Sequence, residues 1–234
     1  MNRKRAVACL SSGLDSAMAL RLGQTRGYLI DLSVTFDYGQ KAFASEVRQA
    51  KLQSDFFQIP HRVIALPWFR EMQSGGSLLK NDSQLPSLRA DQLDEMAATQ
   101  ASAKAVWVPN RNGVMIEIAA GIAEDSGANA VIVGFNREEA ATFPDNSEAY
   151  LQALNQALSF STSGQVEVIS PTSALNKQEI VAIGRKLNFP FHLLWSCYLS
   201  GEKMCGKCES CLRLMRALNA NEVISDGLFS NQNP

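Results

Sequence analysis

Apolar and polar positions in the first third of the chain alternate between two rhythms. Residues 6–10 form a short unbroken apolar run, the pattern of a strand covered on both faces. Residues 15–26 then space their apolar side chains at helical intervals and meet Gly27, a helix-end signal. Residues 29–36, apolar and β-branched, read as a second strand. Residues 42–57 read as a second helix closed by Pro60, and residues 62–66 as a third strand. A β–α–β–α–β order predicts an α/β fold: a doubly wound, Rossmann-like parallel sheet with helices on both faces.

Residues 67–105 break this rhythm. They contain Ser74-Gly75-Gly76-Ser77 and a polar stretch around 80–89, with a helix expected over 91–104. An insert of that length reads as a lid over a functional site. Order then returns. A helix is expected over 112–126, with Val114, Met115, Ile118, Ala119 and Ile122 along one side, and a strand over 130–134. A helix over 145–158 takes Asp145 as N-cap and Glu148 as its capping-box partner. A strand over 166–169 precedes a helix capped by Asn176 with Glu179 three residues on, and a last short helix ends at Leu218. The expected organisation is an α/β domain over 1–190, with 67–105 as its lid-like insert, and a metal-binding segment over 191–234.

Composition narrows the function classes. The chain has 234 residues, 46% of them hydrophobic and 19% charged, with a net charge of −1. That balance gives no broad basic face for nucleic acid and no polybasic membrane patch. No apolar run approaches the ~20 residues of a membrane-spanning helix. Met1-Asn2-Arg3-Lys4-Arg5 followed by residues 6–10 has the charge of a signal peptide. Its apolar stretch is too short for one, so a first strand and a cytoplasmic location are expected.

Of five cysteines, Cys197, Cys205, Cys208 and Cys211 crowd one segment and Cys9 stands alone in the first strand, as a buried residue. Two overlapping C-x-x-C steps put three thiolates on a turn, and Cys197 completes a tetrahedral set. A closed structural zinc site is the expectation, with an iron–sulfur cluster as its competitor.

Leu10-Ser11-Ser12-Gly13-Leu14-Asp15-Ser16 lies between the first strand and the first helix. An open α/β sheet binds ligands there, and small residues at a helix N-terminus let backbone N–H groups approach a phosphate. Asp15 suits a Mg²⁺ ion held against the phosphates. A tight turn with Asp15 or Ser16 as cap accounts for the composition equally well. No lysine stands at Walker A spacing.

The run resembles the Ser-Gly-Gly-x-Asp-Ser signature of the PP-loop ATP pyrophosphatases, with Ser12 at the first glycine. Phe36-Asp37-Tyr38-Gly39-Gln40, Val108-Pro109-Asn110-Arg111-Asn112, Phe143-Pro144-Asp145, Trp195-Ser196-Cys197-Tyr198 and the Cys205-to-Cys211 run narrow it further. Together they resemble the 7-cyano-7-deazaguanine synthases of queuosine precursor synthesis. The family pattern has glycine at Asn110, cysteine at Asn146 and tyrosine at Phe143.

The resemblance implies that ATP adenylates 7-carboxy-7-deazaguanine, that ammonia converts the acyl-adenylate to an amide, and that a second activation yields the nitrile. It implies Mg²⁺, one zinc on Cys197, Cys205, Cys208 and Cys211, and a homodimer acting on small molecules without nucleic acid or membrane. Leu10, Ser11, Ser12, Gly13, Leu14, Asp15, Ser16, Asp37 and Gly134 are the expected ATP-binding set. Tyr38, Gln40, Arg111, Asn112, Phe143 and Asp145 are expected on the deazaguanine. Asp15, Ser16, Arg111 and Lys177 are the expected catalytic residues, Arg111 because a guanidinium grips an oxyanion bidentately. Two other readings remain: a ligase that transfers the acyl group to another amine, even one on a protein, and a zinc-stabilised ATP-binding interaction module.

Overall fold

The computed structural model describes residues 4–72, 76–79 and 84–230. Met1-Asn2-Arg3, Ser74, Gly75 and the start of the polar stretch at 80–83 lie outside the described residues. Five parallel strands form one sheet in the order β3-β2-β1-β4-β5: β1 (Arg5–Cys9), β2 (Leu29–Asp37), β3 (His61–Ala65), β4 (Ala130–Ile132) and β5 (Glu167–Ile169).

Side-chain alternation along the strands divides the core into two layers. In β1, Ala6 and Ala8 face the layer that holds helix α1 (Leu14–Thr25), while Val7 faces the opposite one. In β4, Ala130 and Ile132 share the first layer and Val131 the second. The first layer continues into α8 (Lys177–Lys186) and α9 (Glu209–Asn219) through Ile180, Val181, Leu214 and Leu218. The second is closed by α5 (Arg111–Ser126) and α7 (Glu148–Ser161) through Ile116, Ala119, Leu151 and Leu158. Helix α2 (Phe43–Phe56) covers β2 and β3. The cysteine segment packs into the first layer: Cys197, Met204, Cys208, Cys211 and Met215 join Leu14 and Met18.

Three expectations change. The helix expected from Asp145 starts at Glu148. Ser147 is its N-cap, accepting the Tyr150 N–H at 3.2 Å, and Pro144–Asn146 is a single 3₁₀ turn. Pro144 fixes the φ of that turn, so the extended residue that an N-cap requires falls at Ser147. Asp145 is thereby released from a capping role. Second, besides the one helix expected within 67–105, the described residues there hold one-turn helices at Pro67–Glu71 and Ala90–Gln92 and the short α3 (Gly76–Leu79), with α4 (Met96–Val106) after them. Third, the helix expected over 91–104 is α4, which begins at Met96. Between β4 and α7 lies the short α6 (Arg137–Ala140). The Asn176 capping box is present, with Asn176 and Glu179 each accepting the other's backbone N–H at 2.8 Å.

Two of the departures from the family pattern share a backbone cause. Ser12 has φ 63° and Asn110 φ 50°, the left-handed region where glycine is unstrained. Asparagine tolerates it comparatively well; serine has less compensation, and the buried Ser12 Oγ has no hydrogen-bond partner. Replacing Ser12 with glycine should therefore stabilise the fold by about 1 kcal/mol, read as a raised urea midpoint at constant slope. A lowered midpoint would show that the hydroxyl has a compensating partner.

Candidate functional site

The strand order reverses beside β1, where the chain leaves β1 toward one face and β4 toward the other. A cavity of about 300 Å³ opens at the carboxyl ends of these strands. One end is the loop after β1. Ser11, Gly13, Leu14, Asp15 and Ser16 line it, with Leu10 behind and Gly134 opposite. The Ser16 hydroxyl accepts the Ser11 N–H at 3.2 Å and lies 3.0 Å from the Ser11 hydroxyl, which folds the loop around the helix start. Gly134 is required there: a Cβ would sit 2.3 Å from the Ser16 nitrogen and 2.5 Å from the Asp15 carbonyl carbon, both backbone atoms. Ser12 does not line the cavity. Its carbonyl accepts the Trp195 N–H and the Gln53 amide, each at 3.0 Å, tying the loop to the cysteine segment and to α2.

Lys177 enters this end from the first position of α8. It is 7% exposed, and its ammonium lies 2.5 Å from Asp15 Oδ2 and 2.9 Å from Glu139 Oε1. One cation thus serves two partly buried carboxylates, Asp15 14% and Glu139 34% exposed. Burial alone would lower the Lys177 pKa, but Asp15 and Glu139 outweigh it and hold the ammonium above its ordinary value. Burial likewise opposes ionisation of Glu139, yet Lys177 keeps that carboxyl below its usual range. Asp15 goes the other way: burial pushes it up to about 6 despite Lys177. The divergence follows from the charge count, since one ammonium cannot fully compensate two carboxylates in a dry site. Asp15 Oδ1 is buried with no hydrogen-bond partner among the described residues. An orphan carboxylate oxygen in the wall of this cavity fits a hard cation such as Mg²⁺.

The other end is built by the chain after β2, by the start of α5 and by the turn before α7. Tyr38, Gln40, Arg111, Asn112, Phe143 and Asp145 all line it. The Arg111 guanidinium lies 5.5 Å from the Tyr38 ring centroid, donates to the Tyr38 hydroxyl at 3.3 Å, and donates to Asn112 Oδ1. Among the described residues no carboxylate forms an ion pair with it, so its charge remains available to an anionic ligand. Burial raises the Asp145 pKa against the pull of Arg111. Gln40 is tied back, donating to the Phe36 carbonyl and to Glu46 and accepting the Tyr38 N–H. Asp37 stands outside the cavity, accepting the Gly39 N–H at 3.0 Å and pairing with Arg70 at 3.1 Å.

Sequence reasoning missed Glu46, Trp107 and Glu139, all of which line the cavity. Nothing in the sequence separates Glu46 or Glu139 from surface glutamates on helices; only the fold turns them inward. Trp107 directly precedes the Val108-to-Asn112 motif, and that adjacency was the available signal.

The four cysteines form a second centre behind the cavity. Their Sγ atoms all lie within 4.8 Å of one another. Cys197 Sγ accepts the Leu199 and Cys205 N–H groups, and Cys205 Sγ those of Lys207 and Cys208, each at 3.4 Å. Backbone donors converging on sulfur favour thiolates, which is the ligand form for a metal ion. Cys9, expected as a buried residue, is half-buried at the end of β1 and lines the cavity, and burial pushes its thiol up to about 12.

Three cavity carboxyls, Asp15, Glu46 and Asp145, have folded pKa values above their unfolded ones. Such a group favours folding below its unfolded pKa and loses that contribution as pH rises through the folded value. The ligand-free protein should therefore lose on the order of 2 kcal/mol between pH 4.5 and 7. Urea midpoints across that window should fall, and less steeply in Asp15→Asn. A rising profile, or identical slopes, would refute the assignment.

Comparison with known proteins fits this geometry. A family model described as "Queuosine biosynthesis protein QueC" matches residues 5–222. A protein of Pelotomaculum thermopropionicum named 7-cyano-7-deazaguanine synthase is 49% identical over 213 residues, which is 91% of this chain and 96% of its own. One of the same name in Methanosarcina mazei is 45% identical over 228 residues, covering 96% and 97%. Among solved structures, the U34-tRNA thiolase NcsA from Methanococcus maripaludis superposes with a TM-score of 0.50 at 14% identity, over 94% of this chain and 68% of that one, and so shares the fold. With its phosphate-type loop, inward-facing Arg111 and four-cysteine centre, the chain belongs to the QueC family of 7-cyano-7-deazaguanine synthases.

Proposed function

We propose that this chain converts 7-carboxy-7-deazaguanine and ammonia to 7-cyano-7-deazaguanine, at the expense of ATP. The observation that carries this reading is one continuous cavity joining the loop at Ser11–Ser16 to the unpaired Arg111. A nucleotide in the first end and a carboxylate in the second would meet between them. The substrate carboxylate attacks the α-phosphorus of ATP and displaces pyrophosphate. Ammonia adds to the acyl-adenylate carbonyl, loses a proton and expels AMP. The amide oxygen is adenylated in turn, and loss of AMP and two protons leaves the nitrile.

In this reading the loop N–H groups and the Ser11 and Ser16 hydroxyls hold the phosphates, with the N-terminus of α1 behind them. Lys177 supplies fixed positive charge where negative charge accumulates, and Arg111 orients the substrate carboxylate. Bound at Asp15, Mg²⁺ would neutralise the phosphate oxygens. Leu78 brings the 67–105 insert to the cavity wall, where it would limit access of water.

Zinc is the ion proposed for the four cysteines. Four thiolates around one ion at about 2.3 Å sit about 3.8 Å apart; Cys205 and Cys211 Sγ are 3.9 Å apart. An iron–sulfur cube spreads its thiolates over different irons and so farther apart. A closed four-sulfur ion is structural, and it pins the segment that holds the loop through Trp195. The proposed enzyme is a cytoplasmic homodimer without a nucleic-acid partner. Among the described residues no helix is long and apolar enough to cross a membrane.

Ammonia is preferred over another amine as the acceptor because the curated relatives carry the nitrile-forming name. Ser12 and Asn110 lie outside the cavity lining, whereas Phe143 and Asn146 line it. Mass spectrometry after incubation with ATP, Mg²⁺ and 7-carboxy-7-deazaguanine should show nitrile, AMP and pyrophosphate only when ammonium is added. AMP without nitrile would transfer the reading to another acceptor, and no ATP cleavage would end it. Asp15→Asn should lower turnover by at least ~10²-fold while zinc, measured by elemental analysis, stays at one per chain. Unchanged turnover would remove Asp15 from the mechanism.

A further inference from the structure

The cavity carboxylates are unequally provided for. Asp15 and Glu139 share Lys177. Asp145 lies beside Arg111 and takes a contact from the Asn146 amide at 3.4 Å. Glu46, in the first turn of α2, has no ion pair among the described residues. Its Oε2 accepts the Gln40 amide at 2.8 Å, and Gln40 is itself locked by the Tyr38 N–H and the Phe36 carbonyl. Among the described residues no donor reaches Oε1. Burial accordingly pushes the carboxyl up to about 7, against the opposing effects of Gln40 and Arg111. A side chain needed only to hold Gln40 could be a neutral glutamine. A carboxylate pinned by one oxygen and bare at the other is instead set to accept N–H donors from a ligand.

A second observation shows what kind of ligand. Trp107 and Phe143 line the same cavity with rings within 8° of parallel and centroids 6.4 Å apart. Two near-parallel aromatic rings give the cavity flat apolar faces of the kind on which a heteroaromatic ring stacks. Neither ring is fully buried, and each comes from a different segment of the cavity wall.

We propose that Glu46 reads the edge of a guanine-type ring, accepting its ring N–H and exocyclic amino group, while Trp107 and Phe143 hold the two faces of that ring. This rests on the reaction proposed above for the identity of the ligand and adds the residue that selects it. A site built to accept donors rejects an analogue lacking them far more strongly than an apolar slot does. Glu46 is thus a specificity residue, with no part in adenylation.

The test is calorimetric, on the full-length zinc-loaded protein without ATP. Dissociation constants are measured for 7-carboxy-7-deazaguanine and for the analogue that lacks the 2-amino group. The wild type should prefer the amino compound by about 10- to 100-fold. Glu46→Gln retains an oxygen for the Gln40 contact and should leave thermal midpoint and metal content near those of the wild type. It should bind the amino compound about 10- to 100-fold more weakly and bring the two ligands to within threefold of each other. Trp107→Ala should weaken both ligands together and keep the preference. A preference preserved in Glu46→Gln, or lost equally on both ligands, overturns the assignment; so does a wild type that does not discriminate. Discrimination present while no nitrile forms leaves Glu46 in place and removes the proposed reaction instead.

Discussion

Lys177 between Asp15 and Glu139 is the interaction on which the nucleotide end depends. An ammonium and two carboxylates in a dry pocket cost a good deal to desolvate, and their mutual attraction repays this only with close geometry. The contacts at 2.5 and 2.9 Å supply it. They also join three separate parts of the chain: the first turn of α1, the short α6 after β4, and the start of α8. The backbone N–H of Lys177 adds a third link, donating to Glu138 of the same α6 at 2.9 Å. Removal of the lysine would leave two facing carboxylates, and the loop after β1 could not remain closed beside them.

That loop is strained as well as charged. Ser12 occupies a left-handed conformation, and its carbonyl is held by Trp195 and Gln53. Those two contacts keep the residue out of the cavity and present its neighbours, Ser11 and Gly13, inward. The serine is tolerated because its side chain is not asked to touch a ligand. The same reasoning applies at Asn110, whose left-handed turn starts α5 and aims Arg111 into the cavity.

Strand and helix positions in the first half were legible because a buried parallel sheet leaves unmistakable apolar runs separated by helical spacing. The four cysteines were legible because their spacing alone dictates proximity. What the sequence hid were pairings across long separations. Lys177 is among the expected catalytic residues, but its pairing with Asp15, 162 positions earlier, is visible only in the fold. Asp145 reads as a helix cap because the pattern Asp-x-x-Glu is satisfied there; the proline at 144 shifted the cap to Ser147 and freed the carboxylate. Glu46 carried no signal, since a glutamate in the first turn of a helix has a sufficient local reason to be there.

The cysteine centre is not an appendage to this chemistry. Glu209 follows Cys208, hydrogen-bonds Ser102 of α4, and pairs with Arg213 at 2.9 Å. Arg213 reaches Glu138 at 3.5 Å and donates to the Leu93 carbonyl in the insert. Glu138 in turn accepts the Lys177 backbone N–H. A metal held by the four cysteines would fix the start of α9, and through it both the insert and the segment that carries Lys177. Apart from the Glu209–Arg213 pair inside α9, each of these contacts joins elements that share no sheet bond. Without a rigid C-terminal segment they would depend on long, entropically costly side chains alone. With a metal bound, the cysteine centre would remove that freedom at a distance from the cavity.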